Sequence, residues 1–171
     1  MKVQACIALA IVAVMSIGNS SMAASPTMPP VQGDEVSALH ALWGRYQKAV
    51  ASKDAAAMLD MYVSGDAPVM GAFAPKSYAV VTAANKQPVP RTLLSTAKED
   101  VAGEVKLPPD EIENLDIHTD GEVGSVSFDY KAKVGHGRII WTTVHTNEGW
   151  KIASVVYSIN VPAADSEGTS G

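Results

Sequence analysis

The sequence predicts an α+β domain, with helices in its first half and an antiparallel sheet in its second. Three observations predict it. Apolar residues recur at spacings of three and four in segments of the first hundred residues. After Pro108-Pro109 the spacing changes to two, punctuated by the turn signals Asp120-Gly121 and Asn147-Glu148-Gly149. The closing stretch NEGWKIASVVYSIN, Asn147 to Asn160, is apolar on both faces of the strand it would form, so it asks for cover on both sides.

The elements follow in order. Asp34 can cap a first helix whose stripe is Val36, Leu39, Trp43, Tyr46 and Val50. Asp54 can cap a second, Ala55 to Val63, with Met58, Leu59 and Tyr62 inward and Ser64-Gly65 as the stop. Ala67 to Phe73 reads as a strand that returns through Tyr78 to Thr82. Arg91 to Val101 reads as a third helix, with Pro90 in its first turn and Leu93, Leu94, Ala97 and Val101 inward. Glu111 to His118 and Val123 to Val134 are strands around the Asp120-Gly121 turn. On the second of these, Val126, Phe128, Tyr130 and Ala132 share a face. Gly135-His136-Gly137 reads as another turn. Arg138 to Thr146 and Trp150 to Val161 form the last hairpin.

A short turn at Asn147-Glu148 pairs His145 with Trp150 and fixes the faces of that hairpin. Ile139, Trp141, Thr143 and His145 would share one face with Trp150, Ile152, Ser154 and Val156. Ile140, Thr142 and Val144 would share the other with Ala153, Val155, Tyr157 and Ile159. Three helices cover one face only. The expectation is that a second copy of the chain covers the other, with Ile139, Trp141, Trp150 and Ile152 as the dimer interface. An odd-length turn with a bulge would exchange the two faces.

The N-terminus reads as an export signal over residues 1–23: Lys2, then an apolar run from Ala5 to Ile17, then Ser21-Met22-Ala23 as a small-residue cleavage site. The run is short for spanning a bilayer, so no membrane association is expected after cleavage. The protein would be periplasmic or secreted. Residues 24–33 form a Pro-rich linker, 34–162 the folded domain and 163–171 a small polar tail. Cleavage of 23 residues from 171 leaves 148, enough for one core. Lys2 leaves with the signal, so the formal charge moves from −5 to −6. An acidic chain without a basic cluster does not suit nucleic acid or anionic lipid. The only cysteine, Cys6, lies in the signal, so the mature chain has no thiol chemistry.

Two stretches together carry a family resemblance: ALWGRYQKAVASKDAAAMLDMYVSGDAPVM, and VSFDYKAKV followed by GRIIWTTVHTNEGWKIASVVYSI. They resemble the nuclear transport factor 2-like (NTF2-like) superfamily, including its SnoaL-like and ketosteroid-isomerase-like members, over about Val36 to Ile159. The resemblance implies a cone: a curved antiparallel sheet wrapped around three helices of the N-terminal half, a pocket in the concavity, and often a dimer across the outer sheet face.

The ketosteroid-isomerase-like members test the chemistry residue by residue. The resemblance places Tyr46 where they carry a tyrosine that donates to an oxyanion. It places Gly71 where they carry a carboxylate base, and Lys131 to Thr146 holds no acid to act as their second donor. Proton abstraction from carbon is therefore disfavoured. Tyr46 is either a core tyrosine with its hydroxyl at a rim or a catalytic donor. Asp129 is out of phase with Phe128 and Tyr130; it is either a solvated residue beside Lys131 or a base in the concavity. His40, His118, His136 and His145 show no metal-ligand spacing, and no phosphate-binding or dinucleotide glycine pattern appears, so no metal or cofactor is expected.

Three functions remain open. The first is a binding or accessory domain for a small apolar or aromatic ligand, with Tyr46, Tyr62, Thr142, Val155 and Tyr157 as its wall. The second is an enzyme of dehydratase, cyclase or isomerase type. The third is a dimerisation module whose cone is filled by its own side chains.

Overall fold

The computed structural model describes residues 32–133 and 135–161. The expected signal, most of the linker and the tail lie outside them. The order is α1 (Gln32–Ser52), α2 (Ala55–Asp60), β1 (Pro68–Phe73), α3 (Pro75–Ala84), β2 (Thr92–Thr96), α4 (Ala97–Glu104), β3 (Glu111–Thr119), β4 (Val123–Ala132), β5 (Gly135–Thr146) and β6 (Gly149–Ile159). The six strands form one curved, unclosed sheet in the order β2-β1-β6-β5-β4-β3. All neighbours are antiparallel except β1 and β6, which run parallel. That exception lets a strand from the first half lie beside the last one.

Helices α1, α2 and α4 occupy the concave side. Leu39, Leu42 and Trp43 of α1 are buried with Val126, Phe128, Trp141 and Ile152 of the sheet. Trp43 and Phe128 have ring centroids 4.5 Å apart, and Phe128 meets Trp141 edge-on at 5.4 Å. Such tilted pairs set the negative face of one ring against the positive edge of another. Asp54 caps α2 as expected, accepting from the Ala57 N–H at 2.9 Å.

Several expectations change. The return strand through Tyr78 is helix α3, started by Pro75 in its first turn, where the missing N–H is harmless. The helix expected from Arg91 is a strand followed by a later helix. Leu93 and Leu94 lie on β2 and are exposed, and α4 begins only at Ala97. A capping box sets that start. Thr96 Oγ1 accepts from the Glu99 N–H at 3.3 Å, and Glu99 Oε2 accepts from the Thr96 N–H at 2.9 Å. Gly135 and Gly137 belong to β5 rather than to a turn. A Cβ at either would collide with the carbonyl oxygen of Asn160 or Ser158, so these glycines serve close strand approach.

The largest correction concerns the faces of the last hairpin. His145 does pair with Trp150, but a bulge between Thr142 and Thr143 shifts the register, so Trp141 lies opposite Val155 and Ile139 opposite Tyr157. An extra residue reverses the alternation beyond it. Ile139, Trp141, Val155 and Tyr157 therefore share the inner face with Trp150 and Ile152. Trp141, Trp150 and Ile152 are 2%, 3% and 0% exposed, and Ile139 packs against the same core. They are core residues of one chain and not an interface on its outer face. Trp150 Nε1 donates to the buried Glu35 carboxylate of α1 at 2.8 Å, which ties the start of the first helix to the last strand.

Candidate functional site

The concavity is not filled. A cavity of about 540 Å³ lies between α1, α4 and the inner sheet face, which removes the filled-cone alternative. Its floor is Phe128, Trp141, Val155 and Ile139. Four tyrosines line it: Tyr46 from α1, Tyr62 after α2, Tyr130 from β4 and Tyr157 from β6. Leu107, Pro108 and Pro109 are exposed at its edge. Four carboxylates line it as well: Glu99, Asp100, Glu104 and Asp110.

Local structure explains why the acids face inward. The capping box starts α4 so that Ala97 and Val101, one turn apart, are its buried anchors. Asp100 and Glu104 are four residues apart, hence on one face beside those anchors. Tyr46 donates its hydroxyl hydrogen to Glu104 Oε1 at 2.6 Å. That distance is typical of a strong bond to a charged acceptor.

Dehydration governs the proton affinities here. Burial pushes Glu104 up to about 7; the Tyr46 hydrogen bond opposes this, and the charges of Asp100 and Asp110 add to it. Burial also pushes Asp100 up to about 6 and raises Asp110. Tyr46 is raised well above the usual range, first by burial and then by the Glu104 charge. Burial likewise raises Tyr62, Tyr157 and Tyr130, the last to about 12. Near neutral pH the wall thus presents protonated tyrosines around a carboxyl that is close to half-ionised.

Four of the five residues expected to form a wall do so: Tyr46, Tyr62, Val155 and Tyr157. Thr142 does not. It lies on the outer face, where its hydroxyl meets that of Ser154 at 2.6 Å, because the face of β5 that carries Trp141 is the one turned inward. Asp129 is also outside the cavity. It accepts from Arg138 Nε at 2.8 Å and Asn114 Nδ2 at 2.7 Å, and the bond from Arg138 is the first cause of its lowered proton affinity. An ion-paired carboxylate on the convex side is no base for the concavity. Gly71 does face inward, but the Tyr157 ring covers it: a Cβ there would lie 2.7 Å from Tyr157 Cζ. The place of the missing base is taken up by an aromatic ring.

The acidic side of the site escaped the sequence reading. The signal that would have found it is Thr96-Ala-Lys-Glu99, a capping box read as helix interior. All four histidines are exposed and none lines the cavity. Among the described residues no group of three His, Cys, Asp or Glu side chains is placed to hold a metal ion, and no helix is long and apolar enough to cross a membrane.

Solved structures share this architecture. An NTF2-like protein of unknown function from Shewanella baltica OS155 superposes with a TM-score of 0.58 at 12% identity, covering 78% of this chain and 98% of that one. The fold is NTF2-like. A second NTF2-like protein of unknown function, from Silicibacter pomeroyi DSS-3, gives 0.56 at 16% identity over 76% of this chain and 99% of its own. A dehydratase candidate of the NTF2-like family from Streptomyces avermitilis gives 0.53 at 11% identity over 77% and 100%. No family model matches the sequence, and no curated protein matches it. At these identities the likeness concerns the fold, and any activity must be argued from the cavity.

Proposed function

We propose that this chain is an exported NTF2-like domain that binds a small organic molecule in its concavity. The observation that carries the proposal is the cavity itself: about 540 Å³, walled by aromatic and aliphatic side chains with a few convergent polar groups. That is the size and composition of small-molecule sites. Native mass spectrometry of the purified protein tests it. A co-purifying small molecule, lost on denaturation, is the expected result. Repeated clean apo masses, with no response of the cavity tryptophan to aromatic compounds, overturn it.

One observation favours a second reading, acid–base chemistry on the bound molecule. Glu104, pushed up to about 7 and bonded to Tyr46, is poised both to accept and to return a proton near neutral pH. Recovery of the ligand chemically changed by the wild type and unchanged by Glu104→Gln supports this reading. Unchanged recovery from both overturns it.

We also propose that a second copy of the chain packs on the outer sheet face. The register aligns Ile140, Val156, Met70 and Leu94 in one row across four strands, and all four are exposed, Leu94 by 74%. Ile140→Glu should halve the sedimenting mass without unfolding the chain. The same mass for both proteins removes the dimer.

A further inference from the structure

The cavity holds its charges in one sign. Glu99, Asp100, Glu104 and Asp110 line it, and among the described residues no lysine, arginine or histidine does. Among the described residues the ion pairs lie elsewhere: His118 with Asp116, Lys131 with Glu111, Arg138 with Asp129, and Lys151 with Asp60 and Glu148. Among the described residues Asp100 and Glu104, both partly buried, have no counter-cation, so once ionised they cost free energy that a bound cation would offset.

The rest of the wall says what kind of cation fits. Tyr46, Tyr130 and Tyr157 present aromatic surface, whose faces attract organic cations and offer no ligand to a hard metal ion. The acids are not grouped for metal coordination. The volume also far exceeds that of a bare ion. An anionic molecule would meet only like charge.

We propose that the molecule taken up is a small aromatic ammonium ion, its charge set against Glu104 and Asp100 and its apolar part against the tyrosines. The inference rests on the small-molecule reading of the cavity. Glu104 is faced by Tyr46 from α1, by Asp100 on its own helix and by Asp110 from the loop before β3; Tyr62, Tyr130 and Tyr157 complete the ring of titratable groups. The tyrosines stay protonated throughout the neutral range, so the carboxylates set the pH response.

Three probes of one skeleton separate the charge classes: phenethylamine, phenethyl alcohol and phenylacetate. Their affinities for the full chain are measured by calorimetry, with tryptophan fluorescence as a second readout. At about pH 8 the amine should bind roughly tenfold or more tightly than the alcohol, and phenylacetate weakest. The amine's advantage should fall towards unity at about pH 5, where Asp100 and Glu104 are protonated. Glu104→Gln keeps an acceptor for Tyr46 and should remove most of the preference at about pH 8. Asp129→Asn, outside the cavity, should leave it intact. Equal or tighter binding of the alcohol or the acid overturns the cation inference and leaves small-molecule binding standing. Failure of all three probes, with a different molecule retained in native mass spectrometry, also overturns this inference alone. Failure of all three with clean apo masses overturns both.

Discussion

Glu104→Gln should make the protein more stable, and the gain should depend on pH in a defined sense. In the folded chain burial raises the Glu104 carboxyl from 4.5 to about 7. The folded state therefore holds this proton more tightly than the unfolded state does. Below about pH 4.5 both states are protonated and the site costs nothing. As pH rises towards 7 the unfolded chain ionises first, and folding is weakened until the folded carboxyl ionises too. At about 1.4 kcal/mol per pKa unit the full effect is roughly 3 kcal/mol, and water at the open side reduces it to roughly 2. Glutamine carries no proton to lose, so it escapes this penalty while still accepting from Tyr46. Urea unfolding of both proteins between about pH 4 and pH 8.5 gives the difference directly. It should be near zero or slightly unfavourable at the acid end and reach about 2 kcal/mol in favour of the variant at the basic end. A gap that does not change with pH would refute the reasoning, because it would mean that the carboxyl is as well hydrated folded as unfolded.

Three further substitutions probe the frame around the site. Gly71→Ala places a methyl 2.7 Å from the Tyr157 ring, so the ring must swing aside; a loss of about 1–3 kcal/mol in urea unfolding is expected, and a neutral effect would show that the ring does not rest on the strand. Glu35→Ala leaves the buried Trp150 indole N–H without its acceptor and should cost about 1–3 kcal/mol, read from the same unfolding curves. Thr96→Ala removes the cap that starts α4 and should cost about 1 kcal/mol, with hydrogen exchange quickened first in Ala97–Glu104.

Much of the fold was legible in the sequence because simple periodicity sets it. The stripe of Leu39 and Trp43 and the alternation of Val126 and Phe128 mark buried faces, and both are buried. The His145–Trp150 pair follows from the turn alone. What failed, failed for identifiable reasons. With both faces of the last hairpin apolar, nothing marks the Trp141 face as the inner one, and nothing betrays the extra residue in β6 that brings Val155 and Tyr157 onto that face. The tyrosines of the cavity were visible as amphipathic residues on apolar stripes. The carboxylates were not. They depend on where α4 begins, and Pro90 was a more conspicuous start signal than Thr96. Asp129 stands out of phase with Phe128 and Tyr130, but its partners Arg138 and Asn114 come from the adjacent strands and appear only once the sheet is paired.

The same helix start links fold to function. By fixing the phase of α4, Thr96 and Glu99 bury Ala97 and Val101 and turn Asp100 and Glu104 towards the tyrosines. Displacing that start by one residue would rotate Asp100 and Glu104 by about 100° around the helix axis and take them off the cavity wall.

The most direct test is the titration of the Glu104 side-chain carboxyl carbon by NMR in the ligand-free protein. A midpoint near 7 is predicted, with the Tyr46 resonances moving in step. A midpoint near 4.5, the value of a carboxyl in water, would mean that the acid points out into solvent and does not belong to the cavity wall.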